Sequence, residues 1–201
     1  MRHAIERKGH QACRAGIRSA RVGAFACLVL AGIAAPAIAR EPVNDAMTPP
    51  PHVRPERPVR ALVEEAARRS PVIRDLIEQL EALDVTVYVR ARVFAQFDLE
   101  GQVALMASAG GHRYLMIEIA CGRPEFTQMA TLGHELFHAL EIASEPSIVD
   151  VRTLAAFYLR TGVETSNTAG RRTFETAAAA AAGQRARREL LQITMRHRNG
   201  T

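Results

Sequence analysis

The sequence predicts an α+β domain in which several helices pack on a small antiparallel sheet. Two observations carry that prediction. Helical spacing in residues 59–83 gives way to three strand-like runs in residues 85–120 and returns in residues 124–193. A length of 201 residues also suits one domain with a real core and leaves little room for a second.

Each element has its own local reason. Ser70-Pro71 reads as an N-cap followed by proline at the first helical position, opening a second helix that runs to about Leu83. VTVYVRARV, residues 85–93, is β-branched and alternating, as a half-buried strand should be. QVALMASAGGHRYLMIEIA, residues 102–120, reads as two strands joined at Gly110-Gly111, where both glycines accept positive φ. The chain turns helical at Pro124 and stays so to about Ala143. A further helix from about Ser147 to Arg160 ends at Gly162. ETSNTAGRR, residues 164–172, reads as a polar loop, followed by a last helix from about Thr173 to Ile193.

Charge and composition divide the chain before this domain. Residues 1–39 hold six Lys or Arg and one acid, which accounts for the whole net charge of +5. The remainder carries 20 basic and 20 acidic residues, so its balance gives no reason to expect a nucleic-acid partner. The basic stretch ending at Arg21, the apolar run VGAFACLVLAGIAAPAIA and the small-x-small site Ala37-Ile38-Ala39 read as a signal peptide over residues 1–39. A retained anchor is the competing reading, but Pro36 and the many Ala and Gly residues make a poor span. The expectation is a periplasmic or secreted protein with no stable membrane insertion after cleavage. Residues 40–58 are rich in proline and polar residues and read as a flexible leader, with His52 solvated. The domain then spans 59–196. Cys121 is the one cysteine left in the mature chain, so no internal disulfide can close, and it reads as a small buried residue.

The run TLGHELFHAL, residues 131–140, carries the chemistry. At 100° per residue, His134, His138 and Glu141 share one helical face, while Met129, Leu132, Leu136 and Leu140 lie opposite. Imidazoles four residues apart can converge on one ion, and Glu135 lies beside them within reach of a water. The pattern is HExxH, in which two neutral imidazoles bind zinc and the glutamate acts as general base. Two histidines falling by chance on one helix is the bland alternative, and the rarity of His argues against it.

The motif resembles that of the zincin metallopeptidases, and the hairpin-then-helix order over residues 85–193 resembles the catalytic half of that fold. The resemblance implies one zinc ion held by His134 and His138, with Glu135 as catalytic base. It also implies a peptide or protein substrate lying beside the sheet edge. The HExxHxxGxxH variant does not apply, because Glu141 and Ser144 stand where it requires Gly and His.

A third protein ligand is needed. Glu141, Glu145, Asp150, Glu164 and Glu175 are the candidates. Glu141 lies about 10 Å along the axis from His134 and is better placed to take the free ring N–H of a histidine ligand. Glu175 would sit on the alanine stripe of the last helix, where an unpaired carboxylate is costly, and a glutamate from a later helix resembles the gluzincin arrangement. Glu175 is therefore the expected third ligand, with a salt bridge to Arg171 or Arg172 as its alternative. Tyr158 could donate to an oxyanion, His112 could bind substrate, and residues 113–119 could accept a peptide by strand addition.

The functional expectation is an exported zinc metallopeptidase. The alternative from another class is a zinc-binding or scaffolding protein of similar fold without turnover.

Overall fold

Proline at the first helical position and a serine cap start α2 where the sequence places it. In the computed structural model, which describes residues 49–96, 98–168 and 171–199, the Ser70 hydroxyl accepts from the Ile73 amide and Pro71 opens α2 (Pro71–Glu81). The preceding helix α1 spans Arg60–Arg69. The strands β2 (Val85–Arg92), β3 (Gly101–Ala109) and β4 (His112–Ala120) follow, with Gly110 and Gly111 turning the hairpin at φ of 59° and 87°. Alternation sets the faces of the sheet. Val85, Val87 and Val89 of β2 and Leu115, Ile117 and Ile119 of β4 are all buried toward the helices. The opposite face is polar. There Glu118, buried on β4, accepts from Arg90, Arg92 and Gln102 on its two neighbouring strands.

The α+β class holds, but the sheet is mixed instead of antiparallel. With β1 at Val53–Pro55, its order is β1-β2-β4-β3, with β1/β2 and β2/β4 parallel and only β3/β4 antiparallel. The extra strand β1 (Val53–Pro55) lies in the stretch expected to be a flexible leader. Glu81 holds it in place, its two oxygens accepting from the His52 and Val53 amides at 2.7 and 3.0 Å. His52 is thus pinned at the sheet and its ring Nδ1 lies 3.3 Å from the Leu80 carbonyl, so it is not simply solvated. Residues 113–119 cannot accept a peptide by strand addition, because β4 is interior. Among the described residues the edge strands are β1 and β3. The 1–39 segment and residues 40–48 lie outside the described residues; within the described ones no helix is long and apolar enough to cross a membrane.

After α3 (Glu125–Ser144) come α4 (Val151–Thr161), a two-stranded antiparallel hairpin of β5 (Val163–Thr168) and β6 (Arg171–Glu175), and α5 (Ala177–Asn199). The segment read as a polar loop is thus a β-hairpin. The helix expected from Thr173 begins four residues later, because Thr176 is its cap: its hydroxyl accepts from the Ala179 amide at 3.1 Å.

Helix α3 is gripped from several sides, by α2, by β3 and β4, and most extensively by α5. Small residues make the α3–α5 approach possible. A Cβ on Gly133 would lie 2.8 Å from the Ala186 Cβ, and one on Gly183 would lie 3.0 Å from the Cβ of His134. Gly133→Ala is therefore expected to lower stability although alanine is the better helix former. Overpacking costs about 1–3 kcal/mol, against a propensity gain of up to about 1 kcal/mol. A lower midpoint in urea denaturation with an unchanged m-value checks it.

Candidate metal centre

The two histidines are presented by a helix that is fixed at its end as well as along its sides. The buried Arg113 of β4 donates to the Ala143, Glu145 and Ile148 carbonyls at 3.0, 2.9 and 2.8 Å. A cation there satisfies open carbonyls at the C-terminus of α3 and suits the helix dipole. Because α3 is enclosed, its polar face is enclosed too. His138 and Glu135 are each only 5% exposed. The rings of His134 and His138 meet edge to face with centroids 4.8 Å apart.

Glu175 completes the group, but from a different element than expected. It is the last residue of β6, not a residue on the alanine stripe of α5. The antiparallel hairpin delivers it to the histidines, and the Thr176 cap holds the turn into α5. Its Oε2 lies 3.2 Å from His134 Nε2 and its Oε1 lies 3.5 Å from His138 Nε2. One donor atom from each of His134, His138 and Glu175 lies within 4.8 Å of the others, which makes the three a possible metal-binding triad. Tetrahedral bonds near 2 Å separate neighbouring ligand atoms by roughly 3.3 Å, so both Glu175 distances suit a shared ion.

A set of supporting hydrogen bonds orients His138. Its Nδ1 lies 2.8 Å from Glu141 Oε2, which leaves Nε2 for the triad. Glu141 Oε1 accepts from the Thr176 hydroxyl at 2.7 Å, and Oε2 accepts from the Tyr158 hydroxyl at 3.3 Å. Tyr158 is therefore buried against Glu141 and His138. Its hydroxyl is committed there and is not free to meet an oxyanion. Burial, with Glu141 beside it, pushes that hydroxyl's pKa up.

Thr176 was not singled out from sequence, yet it joins the Glu141–His138 pair to the segment carrying Glu175. Its backbone N–H also donates to Glu175 Oε1 at 2.8 Å. Thr176→Val, which keeps the shape and removes the hydroxyl, is expected to weaken metal affinity roughly 10- to 100-fold, the usual size for such supporting groups. Competition against a chromophoric chelator measures it, and Thr176→Ser should restore most of the loss.

The electrostatics of the cluster follow from burial and close carboxylates. Burial pulls the pKa of His138 down, but Glu141 and Glu175 more than offset it and raise it to about 9. His134 moves the other way, lowered by burial and by the charge of His138 against the pull of Glu175 and Glu141. Burial raises Glu135 to about 7, with His138 opposing and Glu175 adding to the rise. Burial also works upward on Glu175, but the hydrogen bond from His138 and the charge of His134 leave it below the usual carboxylate range.

Glu135 opens onto a cleft that crosses the triad. Two adjoining cavities of about 440 and 400 Å³ share Gly101, His134, Glu135 and Glu175 in their walls. Gly101 lets β3 run close to α3, since a Cβ there would lie 2.5 Å from Thr131 Cγ2 and 2.8 Å from Glu135 Oε1.

Other expected site residues lie elsewhere. His112 stands at the hairpin turn, paired with Ala109 at the opposite end of the β3/β4 ladder from Gly101, and hydrogen-bonds Thr86 at 2.9 Å. It does not line the cleft. Asp150 caps α4 by accepting from the Thr153 amide at 2.7 Å, Glu145 accepts from the Ser147 amide, and Glu164 is paired with Phe174 in the hairpin. None of these three joins the triad.

No family model, no curated protein and no solved structure matches this chain.

Proposed function

We propose that the chain is an exported zinc-dependent peptidase, with His134, His138 and Glu175 as zinc ligands and Glu135 as general base. The observation that carries this reading is the convergence of two imidazole nitrogens and a carboxylate beside a second, buried carboxylate that faces the same cleft. Two nitrogens and one carboxylate suit zinc with one position left open, a catalytic pattern more than a structural one. When bound, zinc would polarise a scissile carbonyl and make water more acidic.

The chain's own residues supply the rest. Glu141 and Tyr158 hold the His138 ring so that Nε2 faces the ligand position. Glu135 is raised to about 7, where a carboxylate can take a proton from water and return it to the leaving amine. The edge strand β3, unpaired on its outer side among the described residues, lines the cleft between Gly101 and Leu105 and offers main-chain groups to an extended peptide.

The test is zinc stoichiometry on purified protein together with cleavage of a denatured protein substrate. One zinc per chain and hydrolysis that stops with chelator are expected. Bound zinc with no hydrolysis would favour the scaffolding alternative, and no zinc at all would end both.

A further inference from the structure

The cleft is chemically different on its two sides of the triad. One cavity, of about 440 Å³, is bounded by Asp98, Glu100, Thr131, Gln184 and Arg187. The other, of about 400 Å³, is bounded by Leu105, Val151, Leu154, Ala155 and the ring of Phe174. Since both share the residues around the triad, a peptide bond held there places one neighbouring side chain in each.

Polar groups line this side as well, and several of them are engaged with one another or with neighbours. The Tyr158 hydroxyl is committed to Glu141 and His138, and the Gln102 amide donates to Glu118. The Thr165 and Thr173 hydroxyls lie 3.0 Å apart, one donating to the other. A charged side chain lying against Leu105, Leu154 and Phe174 would lose water and meet no charge on that part of the wall in exchange. A branched or aromatic one would instead cover Leu105, Leu154 and Phe174, which pack against the core.

The other side offers the opposite terms. Asp98 and Glu100 put two carboxylates on this wall, Glu100 accepting from the Thr131 hydroxyl at 3.5 Å, and the Arg187 guanidinium lies over the Phe126 ring at 5.7 Å.

We infer that the substrate is an extended peptide carrying a bulky apolar residue on one flank of the scissile bond, seated between α4 and β3. The opposite flank carries a hydrophilic residue, seated beside Asp98 and Glu100. The inference rests on the peptidase reading and adds selectivity to it. Discrimination in an apolar pocket follows size, about 10- to 200-fold per methylene at best, whereas exclusion of charge follows from unpaired desolvation.

The experiment is digestion of a mixed-sequence peptide library by the zinc-loaded full chain, with the cut sites read by mass spectrometry. Leu, Ile, Met and Phe should be enriched roughly tenfold or more over Asp, Glu and Lys on one flank, with polar residues on the other. Ala155→Trp, which fills the apolar side, should cut the Leu-over-Ala preference roughly tenfold. Cleavage without apolar enrichment on either flank overturns the inference and leaves the peptidase reading standing. So does a folded Ala155→Trp protein whose Leu-over-Ala ratio is unchanged. If that variant fails to fold, the wild-type enrichment decides alone. No cleavage of any peptide overturns the peptidase reading and the inference with it.

Discussion

Glu135→Gln is expected to lower kcat/KM for peptide hydrolysis by roughly 10²- to 10⁴-fold while zinc stays bound at one per chain. The range is that of a positioned general base. Glutamine has nearly the same shape, so a site only 5% exposed accommodates it without repacking. What changes is that an amide cannot accept the proton. Glu135 is not one of the three converging donors, so metal content should be untouched. Parallel assays of peptide cleavage and of zinc by atomic absorption separate the two properties. Undiminished cleavage by the variant would remove Glu135 from the reaction.

The second large effect concerns stability. Zinc at about 1,000 times its Kd is expected to stabilise the folded chain by about 4 kcal/mol, because the triad exists only when β6 and α3 are brought together. For a domain of this size that is a rise in Tm of roughly 8–16 °C. His138→Ala should abolish the rise, since it removes one donor and leaves the half-buried Glu141 without its ring partner. Scanning calorimetry with and without zinc tests this, and an equal rise in the variant would disprove the ligand assignment.

The same titration has a proton signature. Without metal, His138 is protonated at neutral pH, because Glu141 and Glu175 hold its pKa near 9. Zinc needs the neutral ring, so binding at pH 7.5 should release about one proton. Apparent affinity should therefore fall as pH drops below about 9, by up to about tenfold per unit for a single competing proton. Calorimetry in buffers of different ionisation enthalpy reads the proton count.

The parts of this protein legible in its sequence are those set by local spacing. Ser70-Pro71 marks a helix start whatever surrounds it, and Gly110-Gly111 marks a turn. His134 and His138 share a face because any helix of 3.6 residues per turn puts them there. Glu141 falls three residues after His138 on that face, so its bond to the ring was also foreseeable. Thr176 carried a usable signal, a capping residue directly before six alanines, which would have placed the helix start correctly and returned Glu175 to the strand before it.

What only the tertiary structure decided are the pairings between segments far apart in the chain. Strand β1 is three residues long and is a strand only because β2 lies parallel to it and Glu81 anchors its start. No local pattern encodes that. The order β1-β2-β4-β3 depends on the helices that connect and cover the sheet, and that order puts β3 at an edge and β4 in the interior. Glu175 could be named from sequence as a costly carboxylate, but its place on a β-hairpin and its distance to two rings about forty residues away are products of packing. Periodicity acts between near neighbours and survives in any surroundings, whereas a site shared by a helix and a hairpin exists only after the chain has closed around both.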